Sequence, residues 1–248
     1  MTAPQARRRL LCALAALALS AGCRRKGAAP APDASAEAGA PTATPATVLE
    51  ALKEAELALA MAPSGTEFPE WEMEIPDWGG ANPFAGCGRV GGDRNRGPAE
   101  TASAASPQFY PARQEHPGTS LQARVVLYPG AAQAKTALAS ASRALECRAK
   151  AVGEGKANTV GHIRYVEVVL EALGAPAVGD ERYAARLSGR ARGMDEVEEA
   201  ELYWDVLAVR RGRTLLVVEA HGLGAPLEAP VVERFVAQAL AKIDAANP

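Results

Sequence analysis

The sequence predicts an α+β domain: a twisted, mostly antiparallel sheet with helices packed mainly on one side, preceded by a signal peptide and a disordered tether. Three observations carry that class. Strand-like runs follow one another in the C-terminal half instead of alternating with helices, as a parallel βαβ sheet would require. Helical periodicity is confined to three segments. Regular structure begins only after a stretch, Gly27 to Ala46, in which 18 of 20 residues are Gly, Ala, Pro, Ser or Thr, too little apolar surface to offset the entropy of ordering.

Each element has its own signal. From Thr47 to Met61, Val48, Leu52, Ala55 and Leu59 recur at helical spacing with Glu50, Lys53, Glu54 and Glu56 largely opposite, which predicts an amphipathic helix that buries the first set. Residues 62–118 are rich in Pro and Gly, scatter Trp71, Trp78, Phe84 and Tyr110, and read as a long covering loop without a definite strand. Ala123 to Tyr128 reads as a buried strand; Pro129-Gly130 then turns the chain into a helix that ends about Cys147, with Ala134, Leu138, Ala141 and Leu145 inward. His162–Leu170 is rich in Val, Ile and Tyr, and Ala177–Glu181 forms a turn into a strand at Tyr183–Leu187. Glu201–Arg210 and Thr214–Ala220 form a hairpin about Arg211-Gly212-Arg213. Pro230 opens the last helix, with Val232, Phe235, Val236, Leu240 and Ile243 inward.

The N-terminus carries an address. Arg7, Arg8 and Arg9 precede the apolar run Leu10–Leu19, and Ser20-Ala21-Gly22-Cys23 follows, the n-region, h-region and small-residue cleavage site of a secretory signal. About ten apolar residues reach roughly 15 Å as a helix, half of a hydrocarbon core. The residues around Cys23 resemble the lipobox of bacterial lipoproteins, in which the cysteine is lipidated and becomes the mature N-terminus. The family prefers Leu where Ser20 stands; Leu19 lies one position further back. A plain secretory signal is the alternative. The expected organisation is signal peptide 1–22, lipidated Cys23 with an Ala/Pro-rich tether over 23–46, and one exported domain over 47–248. Arg24, Arg25 and Lys26 suit an anionic headgroup surface. The expected location is the outer face of the cell membrane, or a membrane of the envelope in a Gram-negative cell.

With 27 Lys and Arg against 29 Asp and Glu, the 248-residue chain has a formal charge of −2 and no electrostatic footprint for nucleic acid. Of its four cysteines, Cys12 lies in the signal and Cys23 is assigned to lipid. Cys87 and Cys147 remain, an even pair without metal-ligand spacing, and outside the cytoplasm they predict a disulfide. It would close about 60 residues and contribute on the order of 4 kcal/mol. The rival reading makes Cys87 a catalytic thiol partnered by a histidine.

The lipobox, the Leu49-Glu50-Ala51-Leu52 helix, the paired cysteines, the Gly179-Asp180-Glu181 turn and the Asp205–Gly212 hairpin together resemble actinobacterial lipoproteins whose exported domain is similar to a PknH-type kinase sensor domain. That resemblance implies a twisted antiparallel sheet flanked by helices, an open cleft for an unidentified ligand and no catalysis. The sensor domain has two disulfides, whereas this chain has cysteines for one. A second resemblance, to lipoproteins of PsbP-like fold, implies a similar shape. Neither assigns ligand residues.

Motifs for chemistry are weak. Asp93-Arg94-Asn95-Arg96-Gly97 opens like a calcium loop but holds two arginines and ends on Ala104 where a bidentate Glu is needed. Gly222-Leu223-Gly224 sits between a strand and a helix, yet Leu227 replaces the third glycine of a dinucleotide fingerprint. Asp195, Glu196, Glu198, Glu199 and Glu201 cluster after Arg182, Arg186, Arg190 and Arg192; paired carboxylates could serve acid–base work, and a solvated face is the simpler reading. His116, His162 and His221 have no ligand or triad spacing. Trp71, Trp78, Phe84 and Tyr110 suit either a ligand cleft or core packing. No catalytic or metal residue and no cofactor is assigned, and the ligand residues stay unknown. The expectation is a non-catalytic, lipid-anchored ligand-binding or sensor-like domain that takes a small molecule or envelope component. An envelope-acting hydrolase and a structural accessory subunit of an envelope complex are the alternatives.

Overall fold

The computed structural model describes residues 45–75, 98–111, 118–153, 163–193 and 200–246, all within the compact unit Ala43–Pro248. The class is α+β, as expected. In chain order the elements are α1 (Pro45–Met61), β1 (Glu72–Glu74), β2 (Ala102–Ala105), β3 (Gln108–Tyr110), β4 (Ser120–Leu127), α2 (Ala131–Gly153), β5 (Ile163–Ala172), β6 (Glu181–Gly193), β7 (Ala200–Arg211), β8 (Thr214–Leu223) and α3 (Ala229–Ala246). The eight strands form one sheet in the order β1-β3-β4-β8-β7-β6-β5, with β2 also on β4. All the pairings are antiparallel.

Alternation along the strands sends successive side chains to opposite faces. On β8, Leu216, Val218 and Ala220 join the core beneath α1 and α3, while Leu215 and Val217 join a second core beneath α2. Two helices therefore share one face and α2 covers the other. The inward set expected for α2 (Ala134, Leu138, Ala141, Leu145) is buried, as are Phe235, Val236, Leu240 and Ile243 of α3, whereas Val232 of the α3 set is only half-buried.

Two turns show why the strands stop where they do. Gly179 has φ 68°, and a Cβ there would stand 2.3 Å from Val209 Cγ1 and 2.8 Å from the Arg210 carbonyl oxygen, so no other residue fits without displacement. The next residue locks the neighbouring hairpin: Asp180 N–H donates to Arg210 O, and its carboxylate accepts from Gly212 N–H, each at 2.8 Å. Gly212 itself has φ 56° at the tip of the β7–β8 hairpin.

Three expectations need correction. The α1 stripe assigned to the core faces outward: Val48 is 47%, Leu52 55% and Leu59 67% exposed, whereas Ala58 and Met61 are fully buried. Ala and Leu encircle this helix, so its inward face is selected by tertiary partners, chiefly Met61 in the core and Glu54, which accepts two hydrogen bonds from Arg213 at 2.8 and 3.0 Å. Arg213 holds the Glu54 carboxyl below the usual carboxylate range.

The stretch read as a covering loop supplies three strands. β2 pairs with the C-terminal half of β4 and β3 with its N-terminal end. Between them Ser106 N–H donates to Ala123 O (2.8 Å), and Ser106 Oγ accepts from Ala123 N–H (2.9 Å), so the break costs no buried backbone partner. Last, α2 runs six residues beyond Cys147, because nothing at that position stops a helix. No described helix is long and apolar enough to cross a membrane.

Candidate functional site

The cross-strand register defines a row of side chains on the α1/α3 face: Arg186 on β6, Asp205 on β7, Ala220 on β8 and Leu121 on β4. The next row on that face is Ala184, Leu207, Val218 and Ala123. Three of these positions, Ala184, Ala220 and Ala123, carry only a methyl group; Ala184 and Ala220 lie where α3 has just begun. The space left is a cleft of about 460 Å³, within the range of small-molecule sites. One wall is the β5–β6 connection, Leu173, Gly174 and Pro176. The other is the β8–α3 connection and first turn of α3: Pro226, Leu227, Glu228, Ala229, Val232 and Glu233.

The floor has one polar element. Arg186 Nε donates to Asp205 Oδ1 at 2.6 Å and its terminal nitrogen donates to Oδ2 at 2.8 Å, a fork-to-fork pair that leaves the floor without net charge. Both side chains are mostly buried. The guanidinium also lies 5.6 Å from the centroid of the Tyr203 ring, and Asp205 holds the Arg186 pKa above its ordinary value. The other end of the same face is filled: Phe68, Trp71, Phe109 and Phe235 pack with centroids 4.5–6.3 Å apart.

Beyond Arg186 and Asp205, the strands continue into a polar bay of about 480 Å³ lined by Glu167, Ser188, Gly189, Arg190, Glu201, Leu202 and Tyr203. Arg190 pairs with Glu167, and Tyr203 Oη donates to Glu201 at 2.6 Å. Glu167 sits in the bulge where the β5–β6 register shifts, with φ 56°. A non-glycine residue in this left-handed region costs roughly 1–2 kcal/mol, and such a bulge re-aims the side chain it carries.

On the α2 face the described side chains pack against one another. Trp204 Nε1–H donates to Glu219 at 3.0 Å, Arg148 lies 4.4 Å over the Trp204 ring, and His221 stacks parallel to it at 6.1 Å. Burial pushes the Glu219 carboxyl up to about 7, against the pull of Arg148, the Trp204 N–H and Arg124. Burial lowers His221 to about 4, and Arg148 acts in the same direction.

No protein-family model matches the chain, and no curated protein matches it. Among solved structures, the chain is similar to the extracellular domain of PknH from Mycobacterium tuberculosis at 12% identity, over 52% of this chain and 56% of that one, with a TM-score of 0.29. The match spans little more than half of that domain. A likeness of that size carries no argument for fold or function.

The candidates read from sequence are dispersed. Trp71 joins the aromatic core cluster, not the cleft, and Tyr110 donates to Glu74 at 3.1 Å on the β1–β3 edge. Gly222 lies near the end of β8 opposite Tyr203, where a Cβ would meet Ala225 O at 2.2 Å, and Gly224, with φ 77°, follows in the bend, its N–H donating to Glu201 O. β8 pairs antiparallel with both of its neighbours, so the parallel strand pair of a dinucleotide crevice does not form there. Of the acidic cluster, Glu201 lines the polar bay with Arg190. Arg186 belongs to the cleft. Cys147 lies in α2 and is not a free thiol. Cys12, Cys23, Cys87, Trp78, Phe84, Asp93–Gly97, His116, His162 and Asp195–Glu199 lie outside the described residues. No local sequence pattern marks Asp205, Ala184 and Ala220 as site residues; only the register brings them together.

Proposed function

We propose that this chain is an exported, lipid-anchored domain that binds an apolar ligand in the cleft between β6–β8 and the start of α3, without converting it chemically. The observation that carries the reading is the cleft itself. Its floor of Ala184, Leu207, Val218 and Ala220 is apolar, and its one polar pair is internally neutralised. Water in such a space makes few hydrogen bonds, so an apolar guest is favoured at roughly 25 cal/mol per Å² removed from water. Asp205 is committed to Arg186, and His221, the only described histidine, faces α2, which favours binding over hydrolysis. Arg7–Arg9, the Leu10–Leu19 run and Cys23 support the address. A Cys87–Cys147 disulfide is part of this proposal.

The test is saturation binding of the neutral fluorophore N-phenyl-1-naphthylamine to the full chain. The wild type is expected to bind saturably, and Ala220→Leu and Val232→Phe, which fill the space from the floor and from the α3 wall, are expected to weaken binding at least tenfold with the thermal midpoint monitored. Equal binding by all three proteins would refute the cleft. Mass spectrometry of the membrane fraction tests the address: the expected mature N-terminus is a lipidated Cys23, and non-reducing peptide maps should link Cys87 to Cys147. A mature chain that starts elsewhere without lipid would remove the anchor.

A further inference from the structure

The apolar cleft and the polar bay lie on one face of the same strands. Arg186 and Asp205 close the cleft, and two residues along each strand Ser188 and Tyr203, themselves cross-strand partners, open the bay. Same-face rows on a strand are about 7 Å apart, so the two spaces adjoin across a single ion pair. The Arg186 guanidinium beside the Tyr203 ring is the joint between them.

Charge selects the class of head. Arg186 is neutralised by Asp205, and Arg190 is paired with Glu167. The remaining acids are Glu201, bonded to the Tyr203 hydroxyl, and Glu228 and Glu233 at the cleft mouth. Among the described lining residues no cation is left over for a carboxylate, sulfate or phosphate head, which would meet a net negative rim. What the bay does present is a dense set of acceptors and donors, the Ser188 and Tyr203 hydroxyls and the Glu167 and Glu201 carboxylates, along a partly exposed aromatic ring. Carboxylates and hydroxyls in that mixture suit vicinal hydroxyl groups, which donate and accept at once.

We propose that cleft and bay form one bipartite site for an amphiphile with an uncharged polyhydroxyl head, its apolar tail over Ala184 and Ala220 and its head over Ser188 and Tyr203. This inference rests on the cleft being an apolar-ligand site, as proposed above. The left-handed Glu167 then has a use, since the bulge directs its carboxylate to Arg190 and into the bay.

The experiment is displacement of N-phenyl-1-naphthylamine from the full chain by three amphiphiles with the same twelve-carbon chain, each below its micellar concentration: dodecyl maltoside, dodecyl sulfate and dodecyltrimethylammonium. The maltoside is expected to compete at least tenfold better than either ion, and Ser188→Leu and Glu201→Gln are each expected to reduce that advantage at least threefold. If the fluorophore does not bind at all, the cleft reading fails and this one with it. If it binds but all three compete equally, the cleft stands and the bipartite site is overturned. A preference for the ammonium head would assign the class to Glu228 and Glu233 and also overturn the proposal.

Discussion

The two faces of the sheet are built from the same strands and end differently. Where Trp204 and His221 stand side by side under α2, with Arg148 on the indole, the adjacent positions on the opposite face are Asp205 and Ala220. One face is filled by rings and a guanidinium. The other carries a methyl group and a self-neutralised ion pair, and α3 starts too late to cover them. The contrast teaches that a cleft can arise from side-chain volume alone, with the backbone pairing unbroken.

The largest effect that would sharpen this contrast lies within α3. Phe235 is fully buried against three other rings, while Val232 faces the cleft. Phe235→Ala is expected to cost about 3–5 kcal/mol in denaturant unfolding, and Val232→Ala about 1 kcal/mol, because Val232 is only half-buried at the edge of the core. Equal costs would mean the cleft is filled by the protein itself.

Next comes the floor. Asp205→Ala leaves the mostly buried Arg186 guanidinium with only the exposed Glu171 carboxylate, 3.9 Å away, with an expected loss of about 2–4 kcal/mol. The paired replacement Arg186→Met with Asp205→Leu should recover most of that loss, since two apolar side chains need no compensation. If the double variant is as unstable as the single one, the pair is not a self-contained unit.

Much of the fold was legible in the sequence, and its failures have physical causes. The hairpin about Gly212 and the turn at Gly179 were readable because each needs a backbone conformation that glycine supplies. The inward face of α1 was not, because Leu and Ala lie on every side of it and the choice depends on Arg213, 159 residues away. Strands of three or four residues such as Glu72–Glu74 and Ala102–Ala105 are too short for alternation to register. The cleft could not be read because it is an absence, made by two alanines 36 positions apart that meet only through the β6–β7–β8 register.

A subtler effect belongs to the closed face. Glu219 titrates near 7 in the fold against 4.5 as a free carboxyl, so its contribution is full below about pH 4.5 and is lost as pH rises through 7. His221 titrates near 4 against 6.5, so its contribution is full above about pH 6.5 and is lost as pH falls through 4. Between pH 4.5 and 6.5 the two slopes oppose each other, and stability is expected to be nearly flat there. Each single variant should unmask the other: His221→Phe should lose stability on going from pH 4.5 to 7, and Glu219→Gln should gain it from pH 4 to 6.5, each by on the order of 2 kcal/mol. Urea titrations at four pH values in this range suffice to check both signs.

The smallest expected effect is on α1. Leu52→Lys and Leu59→Lys should each change stability by less than about 0.5 kcal/mol, since both side chains are exposed, whereas Met61→Ala should cost about 2–5 kcal/mol. The reverse order would restore the helix face that periodicity alone suggested.

The central claim is that one face of the sheet receives a ligand and the other does not. Hydrogen–deuterium exchange of the full chain, with and without saturating N-phenyl-1-naphthylamine, reads both faces at once. The account predicts slower exchange in the cleft walls, residues 173–176 and 226–233, and no change along α2 at 131–153. Protection along α2 with none in the cleft walls, or no protection in either, would contradict it.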